Sequence, residues 1–429
     1  MFSKIPSVFL ACCLAMPVAA KPPITSSEET AAQLCLDYIG DTWEDIATIC
    51  ELASQSIGLS ASEQARIYSN WGTAVGNYDA DAARGIYLKG LEFSPNSVVL
   101  LNGLAWTDWS VAEYQAAAAG FERTLNLHPT QEALAGLASA QYRLGDISGS
   151  DAVALLETAT ALDPNYAWGY REAGSIQYDL SDYSAARAAY QSALDIDEFD
   201  VSALYGVAQA LSELGQSAEA LIYANQAADL SPDWYLVYSL RSFILRGLGR
   251  NRAALNDADL AISMAPDFSD GFVQRARSLE ALGRRGDAIA LLEEKLSQFS
   301  DDSFFLIWMV DVVANEGDFD RAYEITDMLA SLTTAAQDYR TLAFYAIEAE
   351  RFEDADAANA ICLNTLPNDP YCLLYDAILT VQGGDVSAGV NRFHHAMGNG
   401  LAPEDVGYFA RKLIALGHFV EAGKVMRRY

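Results

Sequence analysis

The chain has 429 residues, 51% of them hydrophobic, with 12 prolines, 29 glycines and a formal net charge of −31 at pH 7. That composition can build a continuous core, which excludes a disordered tether, and the negative field excludes nucleic acid or an anionic membrane surface as the principal partner. Single cores stop growing near about 250–300 residues, so this length calls for several domains or a repeat array.

In chain order, the first feature is an export signal. Lys4 gives a short basic region, Val8 to Met16 an apolar run, and Val18-Ala19-Ala20 small residues at a cleavage point, so a mature chain is expected to begin at Lys21. The apolar run is shorter than the roughly 20 residues that span a bilayer, and no later segment is long and apolar enough to span. Export implies a periplasmic or secreted location and an oxidising compartment. Cys35, Cys50, Cys362 and Cys372 remain after cleavage and form two sequence-local pairs, Cys35 with Cys50 and Cys362 with Cys372. They are either disulfides or small buried hydrophobes.

Residues 21–59 read as a degenerate helical hairpin, and residues 60–429 as a regular array. Alanines recur at Ala83, Ala117, Ala152, Ala186, Ala220, Ala254, Ala288, Ala322, Ala355, Ala388 and Ala422, with steps of 33 to 35 residues. Gly215, Gly249, Gly283 and Gly317 keep the same beat, as do Pro95, Pro129, Pro164, Pro232 and Pro266. Glycine accepts the left-handed conformation that ends a first helix, and proline cannot continue a second one. The alanine marks where two helices approach most closely. The unit is helix, turn, helix, turn, and about twelve hairpins fit the chain.

These residues resemble the tetratricopeptide repeat, a unit of 34 residues. The copy Tyr170, Ala173-Gly174, Ala186, Tyr190 and Ala193 carries the likeness best, with Leu104-Ala105, Ala117, Phe121 and Pro129 as another. Arg241-Ser242 departs from the Leu-Gly pair of the family, and copies beyond Ser331 drift by one residue. The resemblance implies an all-α, right-handed superhelical solenoid whose first helices line a concave groove that takes peptides or domains.

No catalytic constellation stands out. There is no phosphate loop, no H-E-x-x-H and no G-x-S-x-G elbow. His394 and His395 are adjacent on a helix and point about 100° apart, which suits solvent better than a metal. The cluster Glu348, Glu350, Glu353, Asp354 and Asp356 reads as a solvated hairpin tip. A non-catalytic chain without cofactor or metal is therefore expected.

Placed on the family pattern, Asn102, Trp106, Trp109, Tyr142, Arg143, Trp168, Arg171, Tyr178, Tyr205 and Gln209 fall on the concave side of four consecutive repeats. Trp, Tyr and Arg dominate binding energy at protein interfaces. A register shift of one residue would instead bury Trp106 or Trp168 between hairpins. The expected function is a periplasmic or envelope adaptor that holds a protein or peptide, with basic partners favoured by charge. The rival is a structural subunit that makes contact through its terminal repeats and convex face. Lysines matching a terminal-carboxylate clamp are lacking.

Overall fold

A computed structural model describes residues 28–56, 58–332 and 335–429. The proposed leader, residues 1–20, lies outside the described residues. Among the described residues there are twenty-four α-helices, one short 3-10 turn and no strand. The all-α repeat architecture is thus observed, with twelve consecutive hairpins.

Two compact units meet at the Asp233–Trp234 bond. The first contains α1 (Glu28–Leu36), α2 (Trp43–Ala53), α3 (Ala61–Gly76), α4 (Ala80–Phe93), α5 (Val98–Ser110), α6 (Tyr114–Leu127), α7 (Gln131–Leu144), α8 (Gly149–Leu162), α9 (Ala167–Asp179), α10 (Tyr183–Ile196), α11 (Val201–Glu213) and α12 (Ser217–Leu230). The second contains α13 (Tyr235–Gly247), α14 (Asn251–Met264), α15 (Ser269–Ala281), α16 (Arg285–Lys295), α17 (Ser303–Ala314), α18 (Phe319–Leu332), α19 (Ala336–Glu348), α20 (Phe352–Thr365), α21 (Pro370–Gln382), α22 (Val386–Gly398), α23 (Val406–Ala415) and α24 (Phe419–Arg428).

Helix starts are written in the side chains that precede them. Ser60 accepts from the Glu63 amide while Glu63 accepts from the Ser60 amide, so two orphan donors of α3 are satisfied at once. Asp200, Asp302 and Asp369 cap α11, α17 and α21 in the same position before a first helix. Helix ends need one left-handed residue. Gly145, Gly215, Gly249, Gly283 and Gly317 supply it with φ between 70° and 83°, but Tyr38, Ala112, Ser181 and Glu350 adopt φ of 55°, 64°, 62° and 59° at the equivalent turns. A Cβ in that region costs roughly 1–2 kcal/mol, so four turns carry strain that their sisters do not.

The close-approach alanines are fully buried from Ala83 through Ala355. The expectation fails at Ala388, which is only partly buried; its neighbour Gly389 takes the buried place. A Cβ on Gly389 would come within 2.4 Å of Val381 Cγ2 and 2.8 Å of the Ala377 carbonyl oxygen, so the contact has moved by one residue and become closer. The departure at Arg241-Ser242 also has a physical account. Ser242 is fully buried and donates to the Ala254 carbonyl oxygen at 2.8 Å, while Arg241 makes two bonds to Asp257 at 2.7 and 2.9 Å.

Large rings on second helices seat against glycines on first helices. Tyr87 on α4 meets Gly72 of its own hairpin and Gly103 of the next, and Tyr190 on α10 meets Gly174 and Gly206 likewise. A Cβ on Gly206 would stand 2.5 Å from Tyr190 Cζ, so only glycine admits the ring there.

Candidate functional site

The ten residues expected on the groove all lie in the first unit, on α5, α7, α9 and α11. Nine are partly buried and Arg143 is the most open, its side chain 32% exposed. The three tryptophans come together. Trp106 and Trp168 have ring centroids 4.6 Å apart, Trp109 and Trp168 5.8 Å, and Trp106 and Trp109 5.7 Å, all edge to face. Such pairs add about 0.5–1.5 kcal/mol each beyond the area they cover.

Trp106 and Trp109 stand on α5 and Trp168 on α9, so their rings meet across the intervening α7. That helix carries Ala135, Ala138 and Ser139, all fully buried. Small side chains on α7 leave room for the rings above it. Trp106 also packs at 5.0 Å against Phe121, which is fully buried on α6. It therefore belongs both to the inter-hairpin core and to the face.

A polar chain runs beneath the rings. Trp109 Nε1 donates to Ser139 Oγ at 3.0 Å, Ser139 donates to Glu172 Oε1 at 2.7 Å, and Arg143 donates to the same oxygen at 3.2 Å. Glu172 is buried, so its charge depends on these donors. Further along, Tyr142 faces Asp179, whose carboxyl is raised above the usual range by burial, with Arg143 opposing the shift. Tyr178 donates to Glu213 at 3.3 Å, and burial followed by the Glu213 charge pushes its phenol upward. The Asn102 side-chain oxygen is buried without a hydrogen-bond partner.

Arg171 has a structural task. It donates to Asp200 at 3.3 Å, and Asp200 in turn caps α11 through the Ala203 amide at 3.0 Å. Arg340 repeats the device in the second unit, donating at 3.0 Å to Asp369, the cap of α21. Sequence reasoning placed Arg171 on the groove and missed this tie. The signal available was the aspartate that recurs before a first helix, 29 residues after each arginine.

Cys35 is joined to Cys50 with Cα atoms 4.9 Å apart, and Cys362 to Cys372 at 6.2 Å. The first pair ties α1 to α2, and the second ties α20 to the start of α21. Among the described residues no group of three or more His, Cys, Asp or Glu side chains could hold a metal ion, and no helix is long and apolar enough to cross a membrane. The face thus offers aromatic surface, amide and phenol groups and carboxylates, which suit recognition.

Residues 201–233 match the tetratricopeptide repeat. No curated protein sequence is detectably similar to the chain. Among solved structures, yeast Tom70 is similar with a TM-score of 0.52 and 16% identity, over 94% of this chain and 95% of that one. A tetratricopeptide repeat protein from Parabacteroides merdae gives 0.44 and 18% identity over 58% of this chain and 97% of its own. One from Thermus thermophilus gives 0.39 and 22% over 43% and 98%. The hairpin period, the matched segment and the fold shared with Tom70 agree: residues 201–233 form a tetratricopeptide repeat within an all-α array of similar hairpins.

Proposed function

We propose that this protein is a non-catalytic scaffold of the periplasm or cell envelope, and that the first-helix face of α5 to α11 grips a partner protein. The observation that carries this reading is the joined face of Trp106, Trp109 and Trp168, partly open to solvent and held in place by Ser139, Glu172 and Arg143. Preorganised aromatic surface lowers the cost of ordering side chains at an interface. Asp179 and Glu213 beside Tyr142 and Tyr178 favour a basic segment on the partner, in keeping with the net charge. The export reading rests on the leader sequence and gains support from the two cysteine pairs.

A second reading has its own observation. The last helix, α24, exposes Phe419 (67%), Val420 (63%) and Met426 (52%), and Tyr429 just after it is 48% exposed, an apolar face suited to a subunit contact. Capture of partners from envelope extract separates the two, using the mature chain beside Trp168→Ala and Phe419→Glu variants of unchanged helicity. Loss of a partner with Trp168→Ala alone supports the groove; loss with Phe419→Glu alone supports the end face. A partner set unchanged by both refutes both readings.

A further inference from the structure

The second unit holds two arginines that break the rule followed by the others. Among the described residues, the partly buried arginines Arg171, Arg187, Arg241, Arg275, Arg285, Arg321, Arg340 and Arg351 each have a carboxylate within ion-pair reach. Arg246 on α13 and Arg277 on α15 are also partly buried, and no carboxylate reaches either guanidinium. In a chain with 58 acidic residues, that absence is not a shortage of acids.

The two groups are held close together. The Arg246 and Arg277 guanidinium carbons lie 5.3 and 6.0 Å from the centroid of the same Phe243 ring, and Arg277 stacks at 3.7 Å on Trp308 of α17. Arg246 donates one bond, to the Gln274 side-chain oxygen at 3.1 Å, while its Nη2 is buried with no partner. The nearby acids are otherwise engaged or out of reach. Asp270 is occupied by the Gln274 amide at 3.2 Å, Glu280 is paired with Arg285 at 3.1 Å, and Asp311 stands beyond ion-pair distance of Arg277. Burial first, and then repulsion by Arg277, lowers Arg246 to a pKa of about 10, because the more distant charges of Asp270 and Glu280 offset them only in part.

Two like charges taken partly out of water, stacked on aromatic rings and left unpaired, raise the energy of the free protein. A ligand that brings the missing negative charge relieves it. We infer that the first-helix face of α13, α15 and α17 is a second binding site, which takes an acidic side chain of a partner polypeptide between Arg246 and Arg277, with Phe243 and Trp308 receiving an apolar neighbour. Guanidinium groups match a carboxylate through paired N–H bonds, and aromatic walls reward a flanking apolar residue. This site is independent of the reading of the tryptophan face. It selects the opposite charge.

The test is titration calorimetry on the full mature chain at low salt. The probe is an N-acetylated, C-amidated Gly/Ser peptide with a central Phe-Glu-Phe, beside its Phe-Gln-Phe counterpart. The wild type is expected to prefer the glutamate peptide by at least tenfold, and Arg246→Gln or Arg277→Gln to erase that preference. The preference is read within each variant, so a general loss of folded protein, which weakens both peptides alike, does not imitate the result. Equal binding of the two peptides to wild type, or binding of neither, overturns the proposal. Preference retained in both variants also overturns it. If inorganic phosphate displaces the peptide at lower concentration than acetate does, the site reads phosphate and the acidic-peptide assignment falls. If only a free-acid peptide with a terminal carboxylate binds, the site reads a chain end and the assignment falls as well.

Discussion

Gly206→Ala offers a sharp test of how the hairpins lock together. In an open helix the change gains about 0.5–1 kcal/mol, because alanine is the better helix former. At Gly206 the new Cβ stands 2.5 to 2.6 Å from three atoms of the Tyr190 ring, when ordinary contact begins near 3.4 Å. The ring therefore has to retreat by almost 1 Å. Its other side is closed, since a Cβ on Gly174 would already stand 3.0 Å from the same ring, and Tyr190 is only 7% exposed. Overpacking of this kind costs about 1–3 kcal/mol, which leaves a net loss of up to about 2.5 kcal/mol, centred near 1 kcal/mol, after the propensity gain. Gly85 on α4 is the control, because a Cβ there meets nothing within 4 Å and Gly85→Ala is expected to stabilise. Urea unfolding followed by circular dichroism gives both signs. In a Tyr190→Leu background the Gly206→Ala penalty should shrink by 1 kcal/mol or more, about the coupling expected of residues in contact. A Gly206→Ala protein as stable as Gly85→Ala refutes the interlock.

The strained turns make a second prediction: glycine at position 112, 181 or 350 should each raise stability by about 0.5–1 kcal/mol, since relief of the left-handed Cβ exceeds the added chain entropy. A lower unfolding midpoint in all three variants would count against the strain. Asp200→Ala removes the α11 cap and leaves Arg171 without its carboxylate, an expected loss of about 2–3 kcal/mol in urea unfolding, while Asp200→Asn should retain most of the cap. His394 supplies a pH dependence. Arg428 can only donate to its Nε2, at 3.0 Å, so Nδ1 carries the proton and donates to the Tyr429 hydroxyl at 3.0 Å. Burial and then Arg428 lower its pKa below the ordinary 6.5, so the contact is fully stabilising above the unfolded value and is lost as pH falls through the folded one. The protection of α24 amides, with the intrinsic pH dependence of exchange divided out, should therefore fall on acidification in wild type, and a His394→Gln protein should lack that acid-dependent step.

The repeat was legible because its marks are local: a glycine where the chain must turn left, an aspartate or proline before a helix, an alanine where backbones meet. The slip from Ala388 to Gly389 was hidden, since the two neighbours differ in sequence value only once Val381 is known to press on one of them. Trp106, Trp109 and Trp168 were legible as residues of one face, but their mutual contact depends on Ala135, Ala138 and Ser139 of the helix between them, and small residues announce nothing by themselves. Arg246 and Arg277 could not be seen from the sequence. What distinguishes them is a missing neighbour, and that exists only in three dimensions.

The seating of Tyr87 and Tyr190 between glycines also constrains how such an array can change. Each ring belongs to one hairpin but draws a glycine from the next, some 16 residues along the chain. A hairpin copied or moved elsewhere would arrive with a ring and no recess to receive it, or with a recess and nothing to fill it. The hairpins of this protein look alike in outline but are not interchangeable parts, so growth by duplication must be followed by paired substitutions before the new neighbour can close.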